Sequence, residues 1–178
     1  MGLNSTDFVH IGEIYWGRHV YAVSFKPGCL SNLPWGDDTF ECAILPCKDD
    51  AVLEILEDIA QEVVNANTEW VHATGIHAEQ LHDLIDRTSV KIGRQEKVGD
   101  GLPMTAWFTE STTIQQKAKI VFNNFGGSEY AIAVIVGDDQ EFKEAVMAIN
   151  NELLHFSFRY GTCHCCISAA ELEPPEAV

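Results

Sequence analysis

A three-layer α/β fold, with a mostly parallel or mixed sheet and helices on both faces, is what this sequence predicts, and three observations predict it. Apolar runs of strand length alternate with segments of helical periodicity. The connections between most of them are short. One run, Ala131 to Val136, is apolar at every position, as a strand buried on both faces requires.

The elements follow in order. Phe8 to Trp16 and His19 to Phe25 are apolar and aromatic, with Trp16-Gly17-Arg18 between them, which predicts a hairpin or bent strand pair. Lys26-Pro27-Gly28 closes that unit, and Ser31 to Asp38, with Pro34 and Gly36, reads as an exposed loop. Phe40 to Leu45 is the next strand, ended by Pro46. From Asp49 the period changes: Val52, Ile55, Leu56, Ile59, Ala60, Val63 and Val64 recur at steps of three and four, predicting one helix over 49–65 with Asp49 or Asp50 as its N-cap. Glu69 to Thr74 is a strand, Gly75 a turn, and His77 to about Arg87 a helix with Ala78, Leu81, Leu84 and Ile85 inward. Residues 90–109 contain Gly93, Gly99, Gly101 and Pro103 without periodicity and read as a long ordered loop. A helix over 112–125, a turn, the strand Tyr130 to Val136 and a helix over 138–156 complete a domain expected at 1–160. The acidic tail 161–178 is expected to be flexible.

A chain of 178 residues with 46% apolar and 21% charged side chains is expected to fold as one domain without staples. No run approaches the roughly 20 apolar residues that span a bilayer, and residues 1–7 lack the basic region and apolar stretch of a secretory signal. A cytoplasmic protein with no membrane association is expected, its six cysteines reduced. The formal charge of −16 argues against nonspecific nucleic-acid binding, since phosphates would be repelled.

That charge is uneven. Residues 49–90 hold ten carboxylates against Arg87 alone, and a basic stretch follows with Lys91, Arg94 and Lys97. The helix over 49–65 carries Glu54, Glu57, Asp58 and Glu62 with no cation, so like charges stand at i and i+4, each such pair costing roughly 0.2–0.5 kcal/mol. A face that tolerates this repulsion either keeps the protein soluble or docks a basic protein partner. The stretch 91–107 combines cations, glycines and an aromatic; Lys91, Arg94, Lys97, Gly99, Asp100 and Trp107 are the residue types that would hold an anionic small molecule such as a nucleotide or phosphometabolite. Neither phosphate-loop signature occurs there, and the same cations serve equally to neutralise acidic neighbours.

Two further constellations bear on chemistry. If the strands ending at 45, 74 and 136 are neighbours, Cys47, His77 and Asp138 converge as a thiol, an imidazole and a carboxylate; the plainer account makes Asp49 and Asp138 helix caps and Cys47 a small core filler. Cys163-His164-Cys165-Cys166 is a metal-ligand cluster lacking the second ligand pair of a zinc site, so no metal is expected there. Glu79, His82 and Asp86 share a helix face and read as ordinary polar surface.

Around the glycine-bearing stretch, Trp70, His82-Asp83-Leu84-Ile85-Asp86, Val98-Gly99-Asp100-Gly101 and Pro103-Met104-Thr105-Ala106-Trp107 resemble a family of small bacterial proteins known as a domain of unknown function. The resemblance spans roughly residues 68–138. It implies a bacterial, cytosolic origin and carries over no catalytic or binding residue.

With no established catalytic signature and no cofactor expected, the leading expectation is a noncatalytic inhibitor, immunity factor or accessory subunit that engages a basic partner through Glu54, Glu57, Asp58 and Glu62. The alternative is a small-molecule site, enzymatic or not, at 91–107 and the strand ends.

Overall fold

The computed structural model describes residues 8–14, 17–36, 38–66, 68–91, 103–123 and 128–160. Six strands form one mixed sheet: β1 (Val9–Ile14), β2 (Arg18–Ser24), β3 (Phe40–Pro46), β4 (Thr68–Thr74), β5 (Met104–Phe108) and β6 (Tyr130–Val136), in the order β1-β2-β6-β3-β4-β5. The β1–β2 hairpin is antiparallel and the other four pairings are parallel.

The two strands that the sequence marks as most apolar take the centre. Every residue of β3 is buried, and β6 is buried from Ala131 onward, because both strands have neighbours on both edges and cover on both faces. Successive residues of β6 feed two separate cores. Ile132, Val134 and Val136 pack with Val52, Ile59, Val63, Leu81 and Ile85, from helices α1 (Asp49–Leu53), α2 (Leu56–Asn65) and α3 (Ala78–Lys91). Ala131, Ala133 and Ile135 pack with Ala118, Val121, Ala145, Ile149 and Leu153, from α4 (Ile114–Asn123) and α5 (Asp139–Tyr160). Helices therefore cover both faces, as expected.

Two sequence expectations need correction. The segment 49–65 is two helices: Ile55 leaves helical geometry at φ −122°, ψ 11°, and its N–H closes a short turn on the Val52 carbonyl (3.1 Å). Asp50, Glu54 and Asp58 follow one another at i and i+4, so no ion pair bridges the break. Lys48, not Asp49, is the N-cap of α1; Asp49 lies in the first turn. The second correction concerns 90–109, read as a loop throughout: α3 runs on to Lys91, and Met104–Phe108 is edge strand β5, paired with β4 from Trp70↔Met104 to Thr74↔Phe108. Being at an edge, β5 buries little of itself, and its residues show no inside–outside alternation for a sequence reading to detect.

The chain runs from β3 to α1 and α2 on one face, and from β6 to α5 on the other. The carboxyl ends of β3 and β6 therefore form the switch point where open α/β sheets commonly bind ligands.

Candidate functional site

At that switch point the protein's own side chains fill the space. Asp138 caps α5, its Oδ1 accepting from the N–H of Gln140 and of Glu141 (2.9 Å each), while Glu141 Oε2 reaches back to the Asp138 N–H (2.9 Å). This reciprocal capping box satisfies the helix N-terminus internally. Lys48 pairs with Glu141 Oε1 at 2.5 Å and holds that carboxyl below its ordinary range. A Cβ at Gly137 would approach Glu141 Oε2 to 2.8 Å and Cys47 Cβ to 3.1 Å, which measures how little room is left.

The strands carrying Cys47, His77 and Asp138 are neighbours, but they do not assemble a nucleophilic site. Cys47 Sγ donates to the Glu141 carbonyl at 3.6 Å, and His77 Nδ1 bonds with Gln80 Oε1 at 3.1 Å. Burial pushes the Cys47 thiol up to about 11, with the Glu141 carboxylate adding to the shift. An activated thiol requires the opposite displacement. Iodoacetamide labelling of the Cys47 peptide, followed by mass spectrometry, should therefore be slow at pH 7 and rise roughly tenfold per pH unit up to about pH 10 as thiolate forms. A labelling rate that levels off near pH 8 would restore the nucleophile reading.

Beside the switch point lies a buried ion pair. Lys117, 1% exposed, donates from Nζ to the Pro46 carbonyl (2.7 Å) and to Asp49 Oδ1 (2.9 Å). At the opposite end of the strands, Glu41 is fully buried, 3.5 Å from Arg18 Nη2 and 3.8 Å from His72 Nε2, and it accepts from the Ser128 N–H at 3.3 Å. Both clusters brace strands against helices and loops.

A concave surface lies between α2 and α3. A groove of about 560 Å³ is lined by Leu53, Glu54, Glu57, Asp58, Asp83 and Arg87, among others. Glu54, Glu57 and Asp58 are exposed, as is Leu53 at 46%. On α2 Leu56, Ile59, Ala60, Val63 and Val64 are buried, so packing fixes the outward face that carries Glu57 and Asp58, with Glu54 in the break before it. Arg87, the one cation of the lining, turns its Nε to the Asp83 carbonyl at 3.2 Å.

Glu62, placed with these carboxylates by the sequence, has a different occupation. It is half-buried, and its two oxygens accept from the Gly28 N–H (2.9 Å) and the Leu30 N–H (2.8 Å). It clasps the β2–β3 connection onto α2, beside a smaller recess of about 340 Å³.

Of the candidates for an anionic ligand, Lys91 is exposed at the end of α3 and Trp107 is 47% exposed on β5. Arg94, Lys97, Gly99 and Asp100 lie outside the described residues, as do Cys163, His164, Cys165 and Cys166. Trp107 stacks on His82, ring centroids 4.4 Å apart. His82 Nδ1 forms a short hydrogen bond with the Thr105 hydroxyl, its Nε2 lies 3.6 Å from Asp86 Oδ2, and the same hydroxyl reaches Asp86 Oδ1 at 3.5 Å. The sequence shows His82 and Asp86 on one helix face. That Thr105 and Trp107 join them follows from the β4–β5 pairing, which a strand read as loop conceals.

A comparison with curated proteins finds no match. A family model does match residues 20–116, from β2 into the start of α4, which takes in the acidic groove, Glu62 and the His82–Thr105–Trp107 cluster. By that match the chain belongs to DUF7684, a family defined by a domain of unknown function.

Proposed function

We propose that this protein is an acidic binding or regulatory protein, an inhibitor, immunity factor or accessory subunit, that engages a basic protein partner along the α2–α3 groove. The observation carrying the reading is the lining itself: Glu54, Glu57, Asp58 and Asp83 surround an open groove against a single arginine already turned to its own helix. Three of these carboxylates, Glu54 at the break between α1 and α2 and Glu57 and Asp58 in the first turn of α2, are exposed, and neither helix carries a lysine or arginine to neutralise them. Concave surfaces of one sign raise the local concentration of oppositely charged partners and speed their association, by 10- to about 1000-fold at low salt. Leu53, exposed in the same lining, adds apolar surface to the groove.

The test is capture from the native host lysate on immobilised wild-type protein and on the Glu54→Lys/Asp58→Lys variant. Both side chains are exposed, so the fold should be unaffected. Wild type should retain basic proteins at low salt and release them as ionic strength rises and the Debye length shrinks from about 10 Å toward 3 Å. The variant should retain them at least about tenfold less. A captured set indifferent to both salt and charge reversal would end this reading.

A second reading rests on a specific contact. Trp107, half-exposed and stacked on a histidine that is itself bonded to Thr105, is a platform for a flat or anionic small molecule at the β5 edge. The two readings part under Trp107→Ala, which leaves capture through the groove untouched and removes the platform.

A further inference from the structure

The β1–β2 hairpin carries two imidazoles that none of the preceding sites uses. Paired residues on neighbouring strands share a face of the sheet, and the pairs here are His10↔Tyr21 and Glu13↔His19. An irregularity between His10 and Gly12 shifts the register by one residue. Without it His10 and Glu13, three positions apart, would face opposite ways; with it His10, Glu13, His19 and Tyr21 lie together. The opposite face of these strands contributes Ile11, Ile14, Val20 and Ala22 to the core under α4 and α5. The histidine face is half-exposed.

His19 Nδ1 stands 3.4 Å from His10 Nε2, with ring centroids 5.5 Å apart. At this separation the two nitrogens are at the long end of hydrogen-bond distance, against a mode near 2.9–3.0 Å for N–H···O bonds. For two nitrogens bound to one tetrahedral ion it is the natural separation. Metal–nitrogen bonds of about 2.0–2.1 Å at a tetrahedral angle place the two donors roughly 3.3–3.4 Å apart. We infer that His10 Nε2 and His19 Nδ1 form a binding site for a borderline divalent transition-metal ion of the zinc class, with water in the remaining positions.

The electrostatics suit that occupant. Imidazole must be neutral to donate its lone pair to a metal. Burial lowers the His10 pKa from its ordinary value, and the neighbouring His19 lowers it further, against the raising effect of the Glu13 carboxylate. Glu13, opposite His19 in the hairpin register, adds negative charge to the same face. The aromatic surroundings hold both rings in place: His10 lies 4.9 Å from the Tyr21 ring, and His19 stacks on Tyr130 at 6.0 Å. Among the described residues no three His, Cys, Asp or Glu side chains are grouped as a closed metal cage. The site is therefore a two-imidazole one, with fewer protein ligands than the three of a catalytic zinc or the four of a structural one, as suits an exchangeable ion. Carboxylate-only metals such as calcium or magnesium are excluded by the nitrogen donors.

The experiment uses the full-length chain and Co2+, a paramagnetic ion that accepts the same ligands. Amide resonances are followed by two-dimensional NMR as Co2+ is added. The expected result is that residues 9–13 and 18–22 shift or broaden before the rest at about one equivalent, and that Zn2+ reverses the effect by displacement. His10→Ala and His19→Ala should each weaken this binding at least about tenfold, because one imidazole loses the chelate advantage of two. His155→Ala should leave it unchanged. Both hairpin histidines are half-exposed, and unchanged spectra for β3 and β6 establish that the variants fold. Effects confined to other segments, including the cysteines at 163–166, would overturn the inference, and so would hairpin effects that survive the loss of either histidine. The partner-docking test involves neither histidine, so the two readings fail independently.

Discussion

Asp49→Ala should destabilise the fold by about 3–5 kcal/mol, the range for stripping the partner from a buried charge. Lys117 Nζ is held 2.9 Å from Asp49 Oδ1 and 2.7 Å from the Pro46 carbonyl, in a site that leaves the side chain 1% exposed. Without the carboxylate, an ammonium stays out of water beside the neutral Pro46 carbonyl. The converse change is milder. Lys117→Met removes the charge and nearly preserves the volume, and the Asp49 side chain, 22% exposed, regains water. Its cost should be about 1–3 kcal/mol, that of leaving the Pro46 carbonyl without its donor. Urea titrations resolve the two: Asp49→Ala should lower the midpoint by about 1 M or more at unchanged m. A loss below about 1 kcal/mol, or one equal to that of Lys117→Met, would mean that the ammonium finds another partner.

This pair shows why parts of the molecule were legible in sequence and others were not. Periodicity and burial carry the same information where a segment is wholly inside or cleanly two-sided. Ala131 to Val136 reads as a doubly buried strand and is one, and the stripe Ile59, Ala60, Val63, Val64 reads as the inner face of a helix and is one. The hairpin, the strand at 40–46, and helices on both faces follow by the same logic. Two features escaped it. Strand β5 buries little at the sheet edge, behind a run of glycines, so nothing in Met104-Thr105-Ala106-Trp107-Phe108 alternates. The charged residues Glu41 and Lys117 are buried against the strong expectation that such side chains face water, an expectation that fails only when a partner distant in sequence is brought in.

The same reasoning divides the candidate site. The concentration of carboxylates on 49–62 was visible because charge density needs no tertiary structure, and the fold gathers Glu54, Glu57 and Asp58 with Asp83 along one groove. Glu62 belongs to the same helix face by spacing, but the β2–β3 connection comes down on it and takes both its oxygens. Whether a carboxylate faces a partner or its own backbone depends on a loop whose path no local pattern encodes. The His10–His19 pair is a stronger case. Histidines nine residues apart on a hairpin carry no metal-ligand spacing, and a one-residue change of register places them on a shared face.

Gly75→Ala tests the strand-end bracing from the side of the backbone. Gly75 has φ +90°, a conformation in which a non-glycine residue costs about 1–3 kcal/mol. A Cβ there would also overlap Asp49 Oδ1 and come within 3.3 Å of Lys117 Nζ. The new methyl group must therefore push the carboxylate off the ammonium, and the expected total is about 2–4 kcal/mol. The coupling is the informative quantity. In an Asp49→Ala background the obstructing oxygen is gone, so Gly75→Ala should cost only its conformational share, about 1–3 kcal/mol, and the double variant should be more stable than the sum of the single losses implies. Strict additivity would show that the methyl group and the carboxylate do not meet. A glycine that reads in sequence as an ordinary turn after a strand, and an aspartate that reads as an ordinary helix cap, would then be unrelated; less-than-additive costs make them one feature, an absent side chain that leaves room for a buried ion pair.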